Sequence, residues 1–418
     1  MKNITIGQSF LGKPLRVDFV GDKKSPLKIF IMSGQHGDEK YSKEATTKLI
    51  GHFRSISKCP FYAAILSNAN PDGYQNQTRE NAQSIDLNRD HLLLQSNETE
   101  AIHSFVRKWR PQIVIDVHNY PSRRKHLLKK HLIINQDIFV DVSTNLAILQ
   151  TLNDKKINEF ISKVKLDLYS KGFSCDRYVI FQKSGKIRHS TLDVKDARNS
   201  LASRYDLFSI ILEGKEPLKK EGVLGENRTV MSQFSALCSV INWLVQNEEE
   251  FNYKPHVSTK GELVPIRIKY RNSNEIIELE VKNSKTKEIS KKKFKNYSSE
   301  VEISKFIRLP SAYGVPNSLT KLVKLLKKHG FSSLDNFKIG KHKMYYLKNS
   351  KDKKSSKQQI KKKIITNQIS NYTVFPIDQQ GGRFLAVLLE PQSKFGLHRF
   401  PELKLDFSKN LEYPIIRI

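Results

Sequence analysis

His36 and Glu39 stand three residues apart in the stretch Ser-Gly-Gln-His-Gly-Asp-Glu, residues 33–39. An imidazole and a carboxylate at that spacing, on a glycine-containing turn, can both reach one cation of Zn²⁺ size. The pattern is weak by itself, because with 12 histidines in the chain an H-x-x-E arises by chance roughly as often as not. Two further groups add to it. His118 follows the apolar run 112–117, and Glu213 follows the apolar run 207–212. Two imidazoles and one carboxylate make a catalytic zinc set that leaves a coordination position for water. A second carboxylate nearby takes that water's proton and passes it to a leaving amine. Between these points, residues 70–91 form a polar stretch with Arg79 and Arg89. A guanidinium stays charged and presents a planar fork, suited to a developing oxyanion or to a fixed carboxylate.

The surrounding pattern must place these groups at one edge. Residues 28–32, 61–66, 112–117 and 207–212 are short apolar runs that read as buried strands. Between and around them lie helical patterns. Ala45, Leu49, Ile50, Phe53 and Ile56 share one face over residues 39–56. Asn97 and Glu100 suggest a capping box for a helix through Trp109. Residues 153–171 form an amphipathic helix closed by Gly172, and 230–245 a closing helix. Alternating strands and helices require an α/β fold whose strand ends carry the ligands. A loop as long as 70–91 inside a compact domain is usually functional.

At 418 residues the chain exceeds one ordinary core, so two domains are expected, divided near residue 250. Residues 266–270 and 275–281 alternate as antiparallel strands do, and 372–375 and 383–389 read as further strands. One helix, ending at Lys328, interrupts them, and 348–363 reads as a lysine-rich surface loop or linker. The net charge of +30 is uneven, with 35 Lys and Arg against 14 Asp and Glu in 251–418. Such a surface attracts anionic polymers, but no nucleic-acid motif accompanies it, so binding there is expected to be weak and non-specific at most. No apolar run approaches a membrane span, and the N-terminus has no secretory pattern. Three scattered cysteines, Cys59, Cys175 and Cys238, form no disulfide framework. A cytoplasmic location with reduced thiols follows as the expectation.

Taken together, the motifs resemble the zinc carboxypeptidase family, of the pancreatic carboxypeptidase A type. The match comprises H-x-x-E (His36, Glu39), N-P-D-G (70–73), T-R-x-N (78–81), D-L-N-R-D (86–90), D-V-H-N (116–119) and I-I-L-E-G (210–214), in order and at fitting spacing. The resemblance implies a mixed β-sheet with helices on both faces over 1–250, followed by a smaller β-rich domain over 251–418. It implies one Zn²⁺ held by His36, Glu39 and His118, with Glu213 as general base and Arg79 stabilising the oxyanion. Asn88 and Arg89 would grip the substrate's terminal carboxylate. The implied activity is release of C-terminal amino acids from peptides.

Two departures stand beside it. The family's mobile tyrosine has two candidates here, Tyr178 and Tyr205. The D-V-H-N motif also resembles the D-L-H-N of aspartoacylase and succinylglutamate desuccinylase, which makes an N-acyl amino acid deacylase the first alternative. An inactive binding protein for an acidic polymer is the second.

Overall fold

The computed structural model describes residues 3–56, 58–145, 151–182, 185–252, 254–271, 273, 275–335, 337–348, 359–405 and 412–418. Its largest sheet has eight strands in the spatial order Asn3–Gln8, Pro14–Gly21, Tyr62–Leu66, Lys28–Ser33, Ile113–Tyr120, Phe208–Lys215, Ile138–Val142, Cys175–Arg177. The central four strands run parallel, and antiparallel neighbours flank them, so the sheet is mixed, as expected. Period-two alternation sends neighbouring side chains to opposite faces. Ile29 and Ile31 pack beneath helices Lys40–Arg54, Asp154–Ser170 and Gly222–Gln246. Phe30 and Met32 pack on the other face, against helices Asn97–Trp109 and Ala197–Tyr205. A sheet buried on both faces accounts for the continuous apolar runs in its strands.

Three smaller sheets follow. One joins the halves of the chain, ordering Leu132–Ile134, Glu275–Asn283, Ile289–Ser298, Ile187–His189 and Val179–Phe181. Strand Leu263–Tyr270 pairs with Val301–Arg308. Five antiparallel strands, including Ala312–Pro316 and Glu412–Arg417, complete the β-rich second half.

Several local expectations change. Residues 383–389, read as a strand, lie in helix Gly382–Leu389. Every residue from Phe384 to Leu389 is buried, so the run lacks the one-sided periodicity that separates helix from strand. The lysine-rich stretch is not all loop. Strands His342–Lys348 and Gln359–Ile365 pair in register, Lys348 opposite Gln359, while 349–358 lie outside the described residues. Gln359–Ile365 is the outermost strand of its sheet, where lysines discourage edge-to-edge pairing. Helix Asn97–Trp109 is capped one residue earlier than expected. Ser96 accepts from the Thr99 N–H, and Asp90 in turn accepts from both hydroxyls. The polar stretch 70–91 contains two short helices, Pro71–Asn76 and Leu87–Asp90.

Candidate metal centre

His36 and Glu39 sit between strand Lys28–Ser33 and helix Lys40–Arg54, at the carboxyl end of the parallel strands. The turn carrying them is pressed against the Asn-Pro-Asp-Gly turn. A Cβ on Gly37 would lie 2.0 Å from the Gly73 carbonyl carbon, so only glycine allows the contact. Asn70 holds that second turn by accepting from the Gly73 N–H at 2.9 Å and donating to the Gln35 carbonyl at 3.2 Å.

His118 and Glu213 lie within their strands rather than beyond them. They are register partners on adjacent parallel strands, so both side chains leave the sheet on one face. Glu39 occupies the space between the imidazoles. Its Oε1 is 2.6 Å from His36 Nδ1, and its Oε2 is 2.9 Å from His118 Nδ1. The Asn119 N–H also donates to Oε2 at 2.9 Å and fixes the carboxylate. Among the described residues, His36, Glu39 and His118 are the one group of such side chains whose ligand atoms converge as a metal site requires.

The far side of each ring settles which nitrogen faces the centre. His36 Nε2 lies 3.2 Å from Asp86 Oδ1, and His118 Nε2 lies 3.0 Å from Asp116 Oδ1. A carboxylate behind Nε2 keeps the proton there and leaves the Nδ1 lone pair for a cation. The donor set is therefore two imidazoles, whose Nδ1 protons a cation would displace, and one carboxylate, and it fits Zn²⁺. Asp86 and Asp116 had no role assigned from sequence. Asp116 was within reach, because residues two apart on a strand share a face. Asp86 was not, since it meets His36 across 50 positions of chain.

Electrostatics separates the two carboxylates. Burial works to raise the Glu39 pKa, but His36 and His118 outweigh it and hold the group well below the usual carboxylate range. Burial raises Glu213, His118 opposes the shift, and Glu39 adds to it, leaving Glu213 above its ordinary value. That is the direction a proton acceptor and donor needs. Tyr178 is hydrogen-bonded to Glu213. Tyr205 instead donates to the His103 carbonyl at 3.1 Å.

Arg79 donates from Nε to Asp86 at 3.0 Å and lies 4.0 Å from Glu39, with its guanidinium partly open to solvent. Asn88 faces inward. Its amide nitrogen is 3.0 Å from His118 Nε2, and its oxygen accepts from the Ala197 N–H at 2.9 Å. Among the described residues Arg89 donates only to the Asn88 carbonyl, at 2.6 Å, and it lines a cavity of about 440 Å³. The structure therefore brings His36, Glu39, His118, Glu213 and Arg79 to one centre. It sets Arg89 on a neighbouring cavity and commits the Asn88 amide oxygen to the Ala197 N–H.

Residues 1–125 match the family model described as zinc carboxypeptidase. That stretch is similar to the zinc carboxypeptidases. The matched segment contains His36, Glu39, Arg79, Asn88, Arg89 and His118, and the family uses a catalytic zinc ion. Carboxypeptidase 2 of Trichophyton rubrum is 27% identical over 188 residues, covering 42% of this chain and 34% of that protein. A probable carboxypeptidase 2 of Trichophyton verrucosum is 25% identical over 240 residues, covering 54% and 45%. The chain thus spans a third to a half of the length of these curated relatives. Among solved structures, a metallo-carboxypeptidase from Pseudomonas aeruginosa aligns at 16% identity with a TM-score of 0.45, covering 59% of this chain and 64% of that one.

Proposed function

We propose that the chain is a zinc-dependent carboxypeptidase. One observation carries the reading: two imidazole Nδ1 atoms converge on Glu39 while carboxylates hold both Nε2 atoms from behind. That arrangement is costly to build without a cation, because it buries several ionisable groups within a few ångströms.

When bound, zinc supplies a Lewis acid that acidifies water and polarises the scissile carbonyl. The chain's own groups do the rest. Glu213 takes a proton from the attacking water as the C–O bond forms, and returns it to the amide nitrogen as the C–N bond breaks. Burial, its largest influence, raises its pKa, the direction that favours returning the proton. Arg79 stands at the open side of Glu39 to receive the oxyanion, with Asp86 fixing its fork. Tyr178 holds the Glu213 carboxylate in place. Arg89, whose donors other than the one to Asn88 meet no partner among the described residues, binds the substrate's terminal carboxylate. Three unpaired thiols, Cys59, Cys175 and Cys238, suit a reducing compartment such as the cytoplasm.

The reading is tested with zinc-loaded protein and a mixture of peptides, the products being identified by mass spectrometry. Stepwise loss of C-terminal residues, abolished by a chelator and restored by zinc, is expected. Cleavage of N-acetyl or N-succinyl amino acids with no peptide shortened would replace this reading with the deacylase.

A further inference from the structure

The cavity beside Arg89 is built from distant parts of the chain. Arg89 follows the Asp86 motif, Arg188 lies in strand Ile187–His189, Lys195 precedes helix Ala197–Tyr205, and Lys394 comes from the second half. Lys186 adds a fifth cation to the lining.

No ion pair joins any of these five to a carboxylate among the described residues. Two acids also line the cavity, but each is engaged elsewhere. Asp193 accepts from the Lys195 backbone N–H and faces Arg399 at 3.6 Å. Asp196 caps helix Ala197–Tyr205, accepting from the Asn199 N–H at 2.7 Å and from the Asn199 amide at 3.1 Å. Arg188 has a buried Nε without a hydrogen-bond partner among the described residues, and its guanidinium lies 5.9 Å from the Tyr270 ring. Lys394 donates to the Ile268 carbonyl at 3.0 Å. Burial, then the nearby Arg188 charge, pushes its ammonium below the ordinary value. Five cations against two acids, in a partly enclosed space and with no cation in an ion pair among the described residues, leave an excess of positive charge that calls for an anionic guest.

Two contacts tie the cavity to the metal centre. Asn88 touches His118 with its amide nitrogen and the first residue of helix Ala197–Tyr205 with its oxygen. The Arg89 charge reaches both Asp86, which holds His36, and Asp196 on the cavity wall, although burial still raises Asp196 to about 6. A C-terminal residue whose carboxylate sits on Arg89 would therefore project its side chain among Arg188, Lys195 and Lys394.

We infer that this cavity selects substrates whose C-terminal residue carries an acidic side chain, glutamate or aspartate. The inference rests on the carboxypeptidase reading for the orientation of the substrate, while the cavity's demand for an anion does not. A lysine or arginine side chain would meet like charge, and a leucine side chain would leave the cations unpartnered.

The test uses zinc-loaded full-length protein and matched peptides ending in Glu, Leu or Lys. The expected order of kcat/KM is Glu, then Leu, then Lys, with about 100-fold or more between the extremes, since like-charge juxtaposition costs several kcal/mol. Arg188→Glu should shrink the Glu-to-Lys ratio by at least about tenfold with zinc content unchanged, and Lys394→Met should shrink it less. Preference for Leu or Lys in the unaltered protein would overturn the inference while leaving the carboxypeptidase reading intact. If no peptide is cleaved, the carboxypeptidase reading fails, and calorimetry with free L-glutamate and L-leucine decides the cavity by itself. Tighter binding of glutamate, weakened in Arg188→Glu, would uphold the anion site. Equal binding of the two would overturn it.

Discussion

Replacing Asp116 by Asn probes whether the centre is organised around metal. Asp116 is 1% exposed, and its Oδ1 receives both His118 Nε2 at 3.0 Å and Gln35 Nε2 at 2.7 Å. Burial favours its neutral form, but His118 outweighs burial and keeps the carboxyl below its ordinary range, so it is ionised at neutral pH. Its other oxygen, Oδ2, is buried with no hydrogen-bond partner among the described residues. The Asn variant keeps a carbonyl for the ring N–H and removes the charge that makes Nδ1 a better donor. Loss of such a partner typically costs 10–100-fold in metal affinity, or about 1.4–2.7 kcal/mol. Competition with a chromophoric zinc chelator measures this directly, with His118→Ala marking loss of a whole ligand and thermal melts confirming the fold. Affinity within about threefold of the unaltered protein would refute the backing role, since that role predicts at least tenfold. A loss as large as that of His118→Ala, in a folded protein, would make Asp116 a ligand instead.

Glu213→Gln should retain zinc and lose about 10²–10⁴-fold in turnover, because only a proton acceptor is removed; metal analysis beside steady-state kinetics checks both halves. Arg89→Ala should lower kcat/KM by about 30-fold or more with zinc content unchanged, as expected when a carboxylate loses its charged partner. Asp141 offers a test of stability against pH. Burial would raise it, but His189 and Arg177 outweigh burial and hold it at about 2. Its contribution, about 2.6 kcal/mol at 1.36 kcal/mol per unit, is present above the unfolded carboxylate value near 3.9 and is lost as pH falls toward 2. Denaturant titrations of Asp141→Asn should lack that acid limb; an unchanged limb would assign the loss to other groups.

The centre was legible where its parts are close in sequence or fixed by strand periodicity. His36 and Glu39 share one turn, and His118 and Glu213 follow strong apolar runs that had to be central strands. The central parallel strands were legible for the same reason, since strands buried on both faces read as continuous apolar runs, whereas the mixed sheet was implied by the family resemblance. Partners set by tertiary contact were not. Asp86 reaches His36 only once residues 70–91 fold back through two short helices. The inward turn of Asn88 depends on a helix more than 100 positions away. The cationic cavity draws on residues from 89 to 395, and no local pattern announces it. Helix Gly382–Leu389 was misread because a segment buried on every side has no polar face to reveal its period.

We propose that a zinc-bearing centre here cuts the last peptide bond by recognising a free terminal carboxylate. The most direct measurement compares one peptide with its C-terminal amide under zinc-loaded protein, following release of the last residue by mass spectrometry. The free-acid peptide should lose its terminal residue. The amidated peptide, denying Arg89 its anionic partner, should be slower by about 30-fold or more. Equal rates on the two peptides, or internal cleavage of both, would contradict the account.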